Sequence, residues 1–244
     1  MQGELDKLKR RLSHLFGAQP EYRGTPEPPG QLRLGSLRRL TPISDVWGLD
    51  RGTPIDRYYI DRFLDRHSDD IRGRALEIND DRYTRRFGGD RVDRSDVLHP
   101  VEGNPQATVV ADLANAPQVA DGAYDCVVCT QTLHLIFDAR AAVKTLHRIL
   151  ASGGVVLATV PGISRLTQAD NEAWGDWWRF TGQSISRLFI EAFGRDAVTV
   201  ETHGNVLAAA AQLYGIAAEE LTEEELDYRD PHIQVVLTVG AQKP

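Results

Sequence analysis

Residues 72–98 constrain the fold more than any other part of the sequence. They have the pattern of a buried strand ending on Glu77, a tight polar turn, a short arginine-rich segment closed by Gly88 and Gly89, and a second strand ending near Asp96. This order predicts a βαβ half of a nucleotide-binding sheet, in which the ligand lies across the carboxyl ends of the strands. Glu77 and Asp96 are then the predicted acidic residues of the site, with Asp96 placed for ribose hydroxyls.

The turn after Glu77, residues Asn79–Tyr83, has none of the glycines that bring a backbone close to a pyrophosphate. No GxGxxG motif occurs anywhere in the chain. Asn and Asp can adopt the left-handed conformation that glycine usually supplies, so the tight turn is still predicted. Two carboxylates at this point disfavour a phosphate, however. The sequence therefore favours an adenosine ligand without phosphates, which indicates S-adenosylmethionine over NAD.

Composition limits the partners and the location. With 244 residues and 41% hydrophobic residues, the chain can form one α/β domain with additions. A net charge of −7 predicts no general nucleic-acid partner. No apolar run approaches the roughly 18 residues that span a bilayer, and no signal-peptide pattern is present. We therefore expect a cytoplasmic protein without a membrane span.

The later part of the chain continues the alternation of strands and helices. Its motifs resemble those of a known family. The similarity to class I S-adenosylmethionine-dependent methyltransferases lies in Tyr124-Asp-Cys-Val-Val, Leu133, Asp138, Leu146, Arg148-Ile-Leu150, Gly153-Gly154 and Val160-Pro161. The resemblance covers roughly residues 46–242. It implies an α/β fold: a Rossmann-like seven-stranded sheet with helices on both faces and an antiparallel last strand.

Three further segments narrow the resemblance. Residues 51–60, 83–89 and 178–181 resemble glycosyltransferase-associated sugar O-methyltransferases, such as those of methylmannose polysaccharide synthesis. This resemblance implies transfer of a methyl group to a hydroxyl of a sugar or oligosaccharide. Two alternatives remain open at this point: a small-molecule N- or O-methyltransferase, and a non-catalytic adenosine-binding module, which the glycine-poor turn would suit.

The chain divides into two predicted regions. Residues 1–45 combine an amphipathic helix over 1–16, which either packs on its own domain or forms a homodimer contact, with a Pro/Gly-rich linker or lid. Residues 46–244 are the predicted methyltransferase domain. Within it, insertions at 161–182 and 204–232 are predicted to cap the substrate.

The resemblance also implies which residues bind the cofactor. Glu77 matches the acid near the methionine ammonium, and Asp96 matches the acid that binds the ribose. Asp112 and the backbone of Leu113 match the adenine-binding position. The predicted fourth strand covers residues 124–130, and Thr130 with Gln131 at its end matches the loop that lines the methionine. The predicted cofactor-binding residues are Tyr59, Glu77, Ile78, Asn79, Thr84, Asp96, Val97, Asp112, Leu113, Thr130 and Gln131.

Two residue pairs allow two interpretations each. Tyr58 and Tyr59, on a helix predicted to begin at Pro54, either cover the bound cofactor or are half-buried aromatics before the first strand. Cys126 and Cys129 form a CxxC pattern, which can indicate redox chemistry. They lie within a predicted strand, however, where side chains three residues apart point to opposite faces. We therefore predict two buried thiols.

His134 is the predicted general base. Methyl transfer from a sulfonium is an in-line displacement, so the protein mainly positions the nucleophile. A sugar hydroxyl is a weak nucleophile, and a general base would add about a hundred- to ten-thousandfold. His134 follows the fourth strand, and a neutral imidazole is available near pH 7. The alternative is a structural histidine, because the family's histidine commonly falls one residue later, where this chain has Leu135.

The aromatic segment 174–180 is the predicted acceptor platform. Aromatic faces stack on sugar rings, and Arg179 could donate to ring hydroxyls. The alternative is a hydrophobic cap over the end of the sheet. The predicted substrate residues are Trp174, Trp178, Arg179, Phe180, Tyr214 and His232.

Mg²⁺ is a possible second cofactor, since some sugar methyltransferases use it to lower the pKa of a hydroxyl. Carboxylate oxygens are its preferred protein ligands. Asp138, Asp170 and Asp230 with His232 are available, but they form no diagnostic spacing.

Overall fold

A computed structural model describes residues 27–167 and 174–244. The chain divides into two units, residues 1–40 and 41–244. The described part of the first unit contains a short 3₁₀ turn, Gly35–Leu37. The amphipathic helix predicted over residues 1–16 lies outside the described residues. Within the described ranges, every helix is too short or too polar to cross a membrane.

The second unit contains a seven-stranded sheet in the order β3-β2-β1-β4-β5-β7-β6. Strands β1 to β5 pair in parallel, while β7 runs antiparallel to both β5 and β6. This topology confirms the predicted fold class. The strands are β1 Gly73–Ile78, β2 Val92–His99, β3 Val109–Val110, β4 Tyr124–Thr130, β5 Leu150–Pro161, β6 Val198–His203 and β7 Val236–Gln242.

Helices cover both faces of the sheet. They are α1 Ile55–Arg66, α2 Ala139–Ile149, α3 Gly182–Phe193, α4 Val206–Tyr214 and α5 Glu223–Asp227. The apolar sides of α2 and α3 belong to one buried cluster, and those of α1, α4 and α5 belong to another. Each side of the sheet therefore has its own core, as a doubly wound α/β fold requires.

Strand β4 shows how the sequence pattern produces the two cores. Cys126 and Val128 belong to the core beside α1, whereas Val127 and Cys129 belong to the core beside α2. The alternation follows from the period of two in a strand. Both thiols are free and buried, and burial raises the pKa of Cys129 to about 12. The prediction of two ordinary buried cysteines is confirmed.

Strands β2, β3 and β5 differ from what the sequence pattern indicates. The apolar run over 107–113 has the pattern of a strand, but β3 is only two residues long. Strand β2 continues to His99, three residues beyond the predicted end at Asp96. Gly153 and Gly154 have the pattern of a helix stop before a strand, but β5 begins at Leu150, directly after α2 ends at Ile149, and contains both. As a result, Asp96 lies inside a strand and Asp112 lies beyond the end of one.

Candidate functional site

A cleft of about 750 Å³ opens at the carboxyl ends of the parallel strands. Ligands of open α/β sheets bind at this edge, because the loops that leave the strands diverge there. The remaining walls come from the loop before α1 and from residues 164–167 and 174–179. The residues that line the cleft at the strand ends are Glu77, Ile78 and Asn79, Leu98 and His99, Thr130 and Gln131, and Pro161.

Glu77 organises the turn after β1. Its buried carboxylate accepts hydrogen bonds from the backbone N–H groups of Tyr83 (3.2 Å) and Thr84 (2.7 Å). Burial raises the pKa of Glu77 to about 7, while the two N–H donors act in the opposite direction. Asn79 has a φ of +77°, the left-handed conformation that glycine would otherwise supply. The turn therefore forms without glycine and brings Glu77 and Asn79 to the cleft.

Asp96 does not end β2 and does not line the cleft. It lies three residues before the end of the strand and is 4% exposed. Its carboxylate accepts a hydrogen bond from Thr108 Oγ1 (2.8 Å) and pairs with Arg94 (2.9 Å). The predicted placement of this acid for the ribose hydroxyls is therefore wrong. His99 is the residue of β2 that lines the cleft at the strand end.

Strand β4 and the segment after β3 bring four predicted cofactor residues to the cleft, Asp112, Leu113, Thr130 and Gln131. Asp112 forms a local turn by accepting from the N–H of Ala114 (2.9 Å). Gln131 has a φ of +46°, and its N–H donates to the carbonyl of Thr159 (2.8 Å). The Nε2 of Gln131 is buried and has no hydrogen-bond partner among the described residues.

His134 lies on a 3₁₀ turn, Leu133–Leu135, and lines the cleft. Its side chain is 6% exposed, and its Nδ1 has no hydrogen-bond partner among the described residues. Burial lowers the pKa of His134 to about 4, against the opposing charge of Asp176. The imidazole is therefore neutral at pH 7. Its backbone carbonyl accepts from the N–H groups of Trp177 (2.9 Å) and Trp178 (3.3 Å), which fixes the aromatic segment beside it.

The aromatic segment divides between the cleft and the core. Trp174 and Trp177 line the cleft, and Trp177 packs edge-on against Phe137 with ring centroids 5.1 Å apart. Trp178 does not line the cleft, and its indole N–H donates to the carbonyl of Ile136 (3.1 Å). Phe180 is buried in the core beside α3. Neither Trp178 nor Phe180 lines the cleft, so neither is placed to contact the acceptor.

Arg179 lines the cleft, but its guanidinium is occupied. It forms an ion pair with Asp176, whose side chain is fully buried. It also donates to the backbone carbonyls of Ser164 and Arg165. Its donors therefore hold the segment after β5 in place, which corrects the prediction that Arg179 donates to sugar hydroxyls.

Five other predicted residues lie away from the cleft lining: Tyr59, Thr84, Val97, Tyr214 and His232. The hydroxyl of Tyr59 donates to the carbonyl of Leu226 (2.8 Å), and its ring stacks on His203. This places Tyr59 in the core beside α1, so the second interpretation of the tyrosine pair is the correct one for it. Thr84 and Val97 are likewise buried. Tyr214 ends α4, and His232 is exposed.

Three of the predicted magnesium ligands, Asp138, Asp230 and His232, lie within the described residues and belong to no metal-binding group there. Asp138 caps α2 by accepting from the N–H of Ala141 (2.9 Å), and Asp230 accepts from the N–H of His232 (2.8 Å). Asp170 lies outside the described residues. Within the described ranges, no group of three His, Cys, Asp or Glu side chains could hold a metal ion.

The cleft fits S-adenosylmethionine by its set of donors and apolar surfaces. A buried amide donor without a partner costs about 1–3 kcal/mol, so the free Nε2 of Gln131 indicates a ligand acceptor at the end of β4. Leu98 and Leu113 offer apolar surface for an adenine, beside the carboxylate of Asp112. Glu77 offers a buried carboxylate for an ammonium group. This set of groups matches the parts of the cofactor.

The sequence analysis missed Trp47, His99 and Arg165, which line the cleft, and Asp176, which pairs with the cleft residue Arg179. Trp47 and Arg165 lie in loops whose course no local pattern indicates. His99 was missed because β2 was predicted to end too early. Trp177 belongs to the aromatic segment 174–180 that was predicted as the acceptor platform, although it was not among the individual substrate residues. Asp176 lies in the same segment and was not predicted.

Part of the sequence matches a family of known function. Residues 83–158 match the methyltransferase domain family. This range begins at the end of the turn after Glu77 and includes strands β2, β3 and β4, helix α2 and most of β5. No curated protein matches the chain.

Solved structures similar to the chain include methyltransferases. A methyltransferase from Mesorhizobium loti is 16% identical, with 80% of this chain and 100% of that chain covered and a TM-score of 0.51. One from Archaeoglobus fulgidus is 12% identical, with 77% and 94% covered and a TM-score of 0.51. Phosphoethanolamine N-methyltransferase 2 from Haemonchus contortus is 14% identical over 71% of this chain, with a TM-score of 0.46. The chain spans about half of that protein, 49%.

Proposed function

We propose that this chain, which is a class I S-adenosylmethionine-dependent methyltransferase by its methyltransferase domain and its sheet topology, transfers the methyl group to a hydroxyl of a sugar or oligosaccharide. The observation that carries the proposal is the position of His134. It is a buried, neutral imidazole with an unpaired Nδ1, and it lines the cleft that Trp174 and Trp177 also line. An aromatic wall suits a sugar ring, and a free imidazole nitrogen suits a hydroxyl proton.

The cofactor supplies an electrophilic methyl group on a sulfonium when it is bound. In the proposal, Glu77 pairs with the cofactor's ammonium group, and Asp112 with the backbone of Leu113 holds the adenine. Nδ1 of His134 accepts the proton of the acceptor hydroxyl as the oxygen attacks. Asp176 favours the resulting imidazolium, because its negative charge acts on His134. Trp174 and Trp177 exclude water and orient the sugar ring.

A panel of acceptors tests the proposal. Formation of S-adenosylhomocysteine is measured with neutral sugars, with sugar acids and sugar phosphates, and with small amines. Turnover with sugars supports the proposal. Turnover with amines alone would replace it with N-methylation, and binding of S-adenosylhomocysteine without turnover on any acceptor would favour a non-catalytic adenosine-binding module.

Trp177→Ala is expected to raise the KM for a sugar acceptor by about three- to tenfold, because aromatic stacking contributes about 0.5–1.5 kcal/mol beyond buried area. The kcat should change less. Steady-state kinetics at saturating cofactor measure both constants. Trp178→Ala is the matched control, since that ring does not line the cleft and its KM should stay within about twofold of the wild-type value. Equal effects of the two substitutions would contradict a specific role for Trp177.

Cofactor affinity is expected to rise with pH through about 7 and then level off. Burial raises the pKa of Glu77 to about 7, so the free protein is partly protonated at neutral pH. The ammonium group needs the carboxylate form, so binding releases a proton. Calorimetric titration with S-adenosylhomocysteine between pH 6 and 8, in two buffers of different ionisation enthalpy, measures this release. Glu77→Gln should bind S-adenosylhomocysteine more weakly, and its affinity should no longer depend on pH. If the variant kept the pH dependence of the wild type, Glu77 would not be the group that binds the ammonium.

A further inference from the structure

Arg165 is an unusual cation in the cleft. It follows β5 and lines the same cleft as His134 and Trp177. Its Nε and Nη2 atoms are buried, and neither has a hydrogen-bond partner among the described residues. A guanidinium stays charged and has only donors, so each buried N–H without an acceptor is costly. Burial lowers the pKa of Arg165, while the charge of Asp45 acts in the opposite direction.

The other arginines of the cleft are already occupied. Each of them donates to a side chain of the protein: Arg57 to Tyr83, Arg82 to Asp80 and Arg179 to Asp176. Arg165 therefore differs from them by having two donors without an acceptor in the part of the chain that the structure describes. Native structures rarely keep such donors buried unless a ligand, an ion or a functional constraint accounts for them.

The protein holds Arg165 in place from two sides. Its guanidinium lies over the ring of Trp47, 4.8 Å from the centroid. Trp47 has a φ of +57°, a conformation that is uncommon for a bulky residue. The hydroxyl of Ser44 maintains this turn, because it accepts from the N–H groups of Val46 (3.2 Å) and Gly48 (2.9 Å).

From the other side, Arg179 fixes the backbone of the segment. It donates to the carbonyls of Ser164 and Arg165, while its charge is neutralised by Asp176. The side chain of Arg165 is thus oriented by stacking and its backbone by hydrogen bonds, and neither contact uses Nε or Nη2. These two atoms are arranged as in a guanidinium that forms two parallel hydrogen bonds with a planar or tetrahedral anion.

We propose that Arg165 and Trp47 bind an anionic group of the acceptor, a carboxylate or a phosphate, so that the substrate class is an acidic or phosphorylated sugar. The inference rests on the proposed function for the identity of the acceptor as a sugar. The existence of the anion site does not depend on it. Arg165 supplies two charge-assisted hydrogen bonds, and Trp47 supplies the surface that keeps the guanidinium from turning into solvent.

The first experiment probes the anion site without any sugar. The line width of the ³¹P signal of inorganic phosphate is measured with the full chain saturated with S-adenosylhomocysteine. The wild-type protein should broaden the signal, and Arg165→Met should abolish most of the broadening. Arg187→Met is the matched control, because Arg187 is an exposed arginine that pairs with Glu191 on α3. Equal broadening by wild type and Arg165→Met would overturn the proposal.

Thermal stability separates a binding role from a structural one. Arg165→Met removes a buried charge that has free donors, so its Tm should equal or exceed that of the wild type, as is common where a site is kept at the expense of stability. A marked loss of Tm would assign Arg165 to the structure and overturn the proposal. A tenfold or larger loss of affinity for S-adenosylhomocysteine in Arg165→Met would assign the guanidinium to the cofactor's carboxylate and would overturn it as well.

The second experiment identifies the source of the anion. Turnover is compared for glucose, glucuronate and glucose 6-phosphate with wild type, Arg165→Met and Arg165→Lys. One charged sugar should have the higher kcat/KM, and Arg165→Met should lower that value by about 10- to 100-fold while changing glucose little. Arg165→Lys should recover only part of the kcat/KM for the charged sugar, because an ammonium cannot form the paired hydrogen bonds.

Equal turnover of glucose and both charged sugars would overturn the anion site but not the proposed sugar methyltransferase. Phosphate binding that depends on Arg165, without turnover of any sugar, would leave the anion site intact and refute the sugar.

Discussion

His134→Ala is expected to lower kcat by about a hundred- to ten-thousandfold, the usual contribution of a general base. The affinity for S-adenosylhomocysteine should not change. The reason is the environment of His134: a buried imidazole that lines the cleft, with an unpaired Nδ1 and a neutral charge at pH 7. Removing it deletes the acceptor of the hydroxyl proton but leaves the strand ends that hold the cofactor. Single-turnover rates and calorimetric titration measure the two quantities separately.

The pH profile gives this prediction a second test. Burial lowers the pKa of His134 to about 4, and the base works only when it is neutral. At saturating cofactor, where the protonation of Glu77 no longer limits binding, the kcat of the wild type should therefore fall as the pH drops towards 4 and stay level from about 6 to 8. His232→Ala is the matched control, since His232 is exposed and does not line the cleft. Turnover by His134→Ala within about threefold of the wild-type rate would assign the histidine a structural role.

The cleft residues that lie at strand ends could be predicted from the sequence. Glu77, Thr130 and Gln131 lie where buried apolar runs give way to polar residues, and parallel strands bring these ends to one edge. Asn79 was predictable for a related reason, since few residues besides glycine tolerate a left-handed turn. The predicted position of Asp96 at the end of β2 was wrong, because a polar residue inside a strand looks the same in sequence as one at its end. Thr108 and Arg94 satisfy it there.

The other predictions depended on which groups form hydrogen bonds or ion pairs with each side chain. A sequence does not show this. Tyr59 looked suited to a ligand, but the carbonyl of Leu226, 167 residues away, takes its hydroxyl. Arg179 and Arg165 are chemically equivalent in the sequence. The structure assigns an ion pair to the first and leaves donors of the second free. Which of two arginines is available for a ligand is decided only by where the nearest carboxylate lies.

Arg179→Met is expected to lower the free energy of unfolding by about 3–5 kcal/mol, because it leaves a buried carboxylate without its cation. The side chain of Asp176 is fully buried, and that of Arg179 is 25% exposed. For a chain of this size the loss corresponds to a fall in Tm of roughly 6–20 °C. Calorimetry of the wild type and the variant measures it. Arg187→Met is the matched control, because its exposed pair with Glu191 should contribute less than about 1 kcal/mol.

A double variant isolates the cause of that loss. Asp176→Asn together with Arg179→Met removes both charges, so it should recover most of the stability that Arg179→Met alone loses. The single variant should also shift the acid limb of the activity profile to higher pH. Arg179 lowers the pKa of His134 and Asp176 raises it, so without Arg179 the imidazole holds its proton more tightly. If Arg179→Met were as stable as the wild type but bound acceptor poorly, the guanidinium would contact the sugar, as the sequence alone suggests. If the variant instead loses stability and its acid limb shifts to higher pH, Arg179 is the residue that positions both His134 and the segment carrying Arg165.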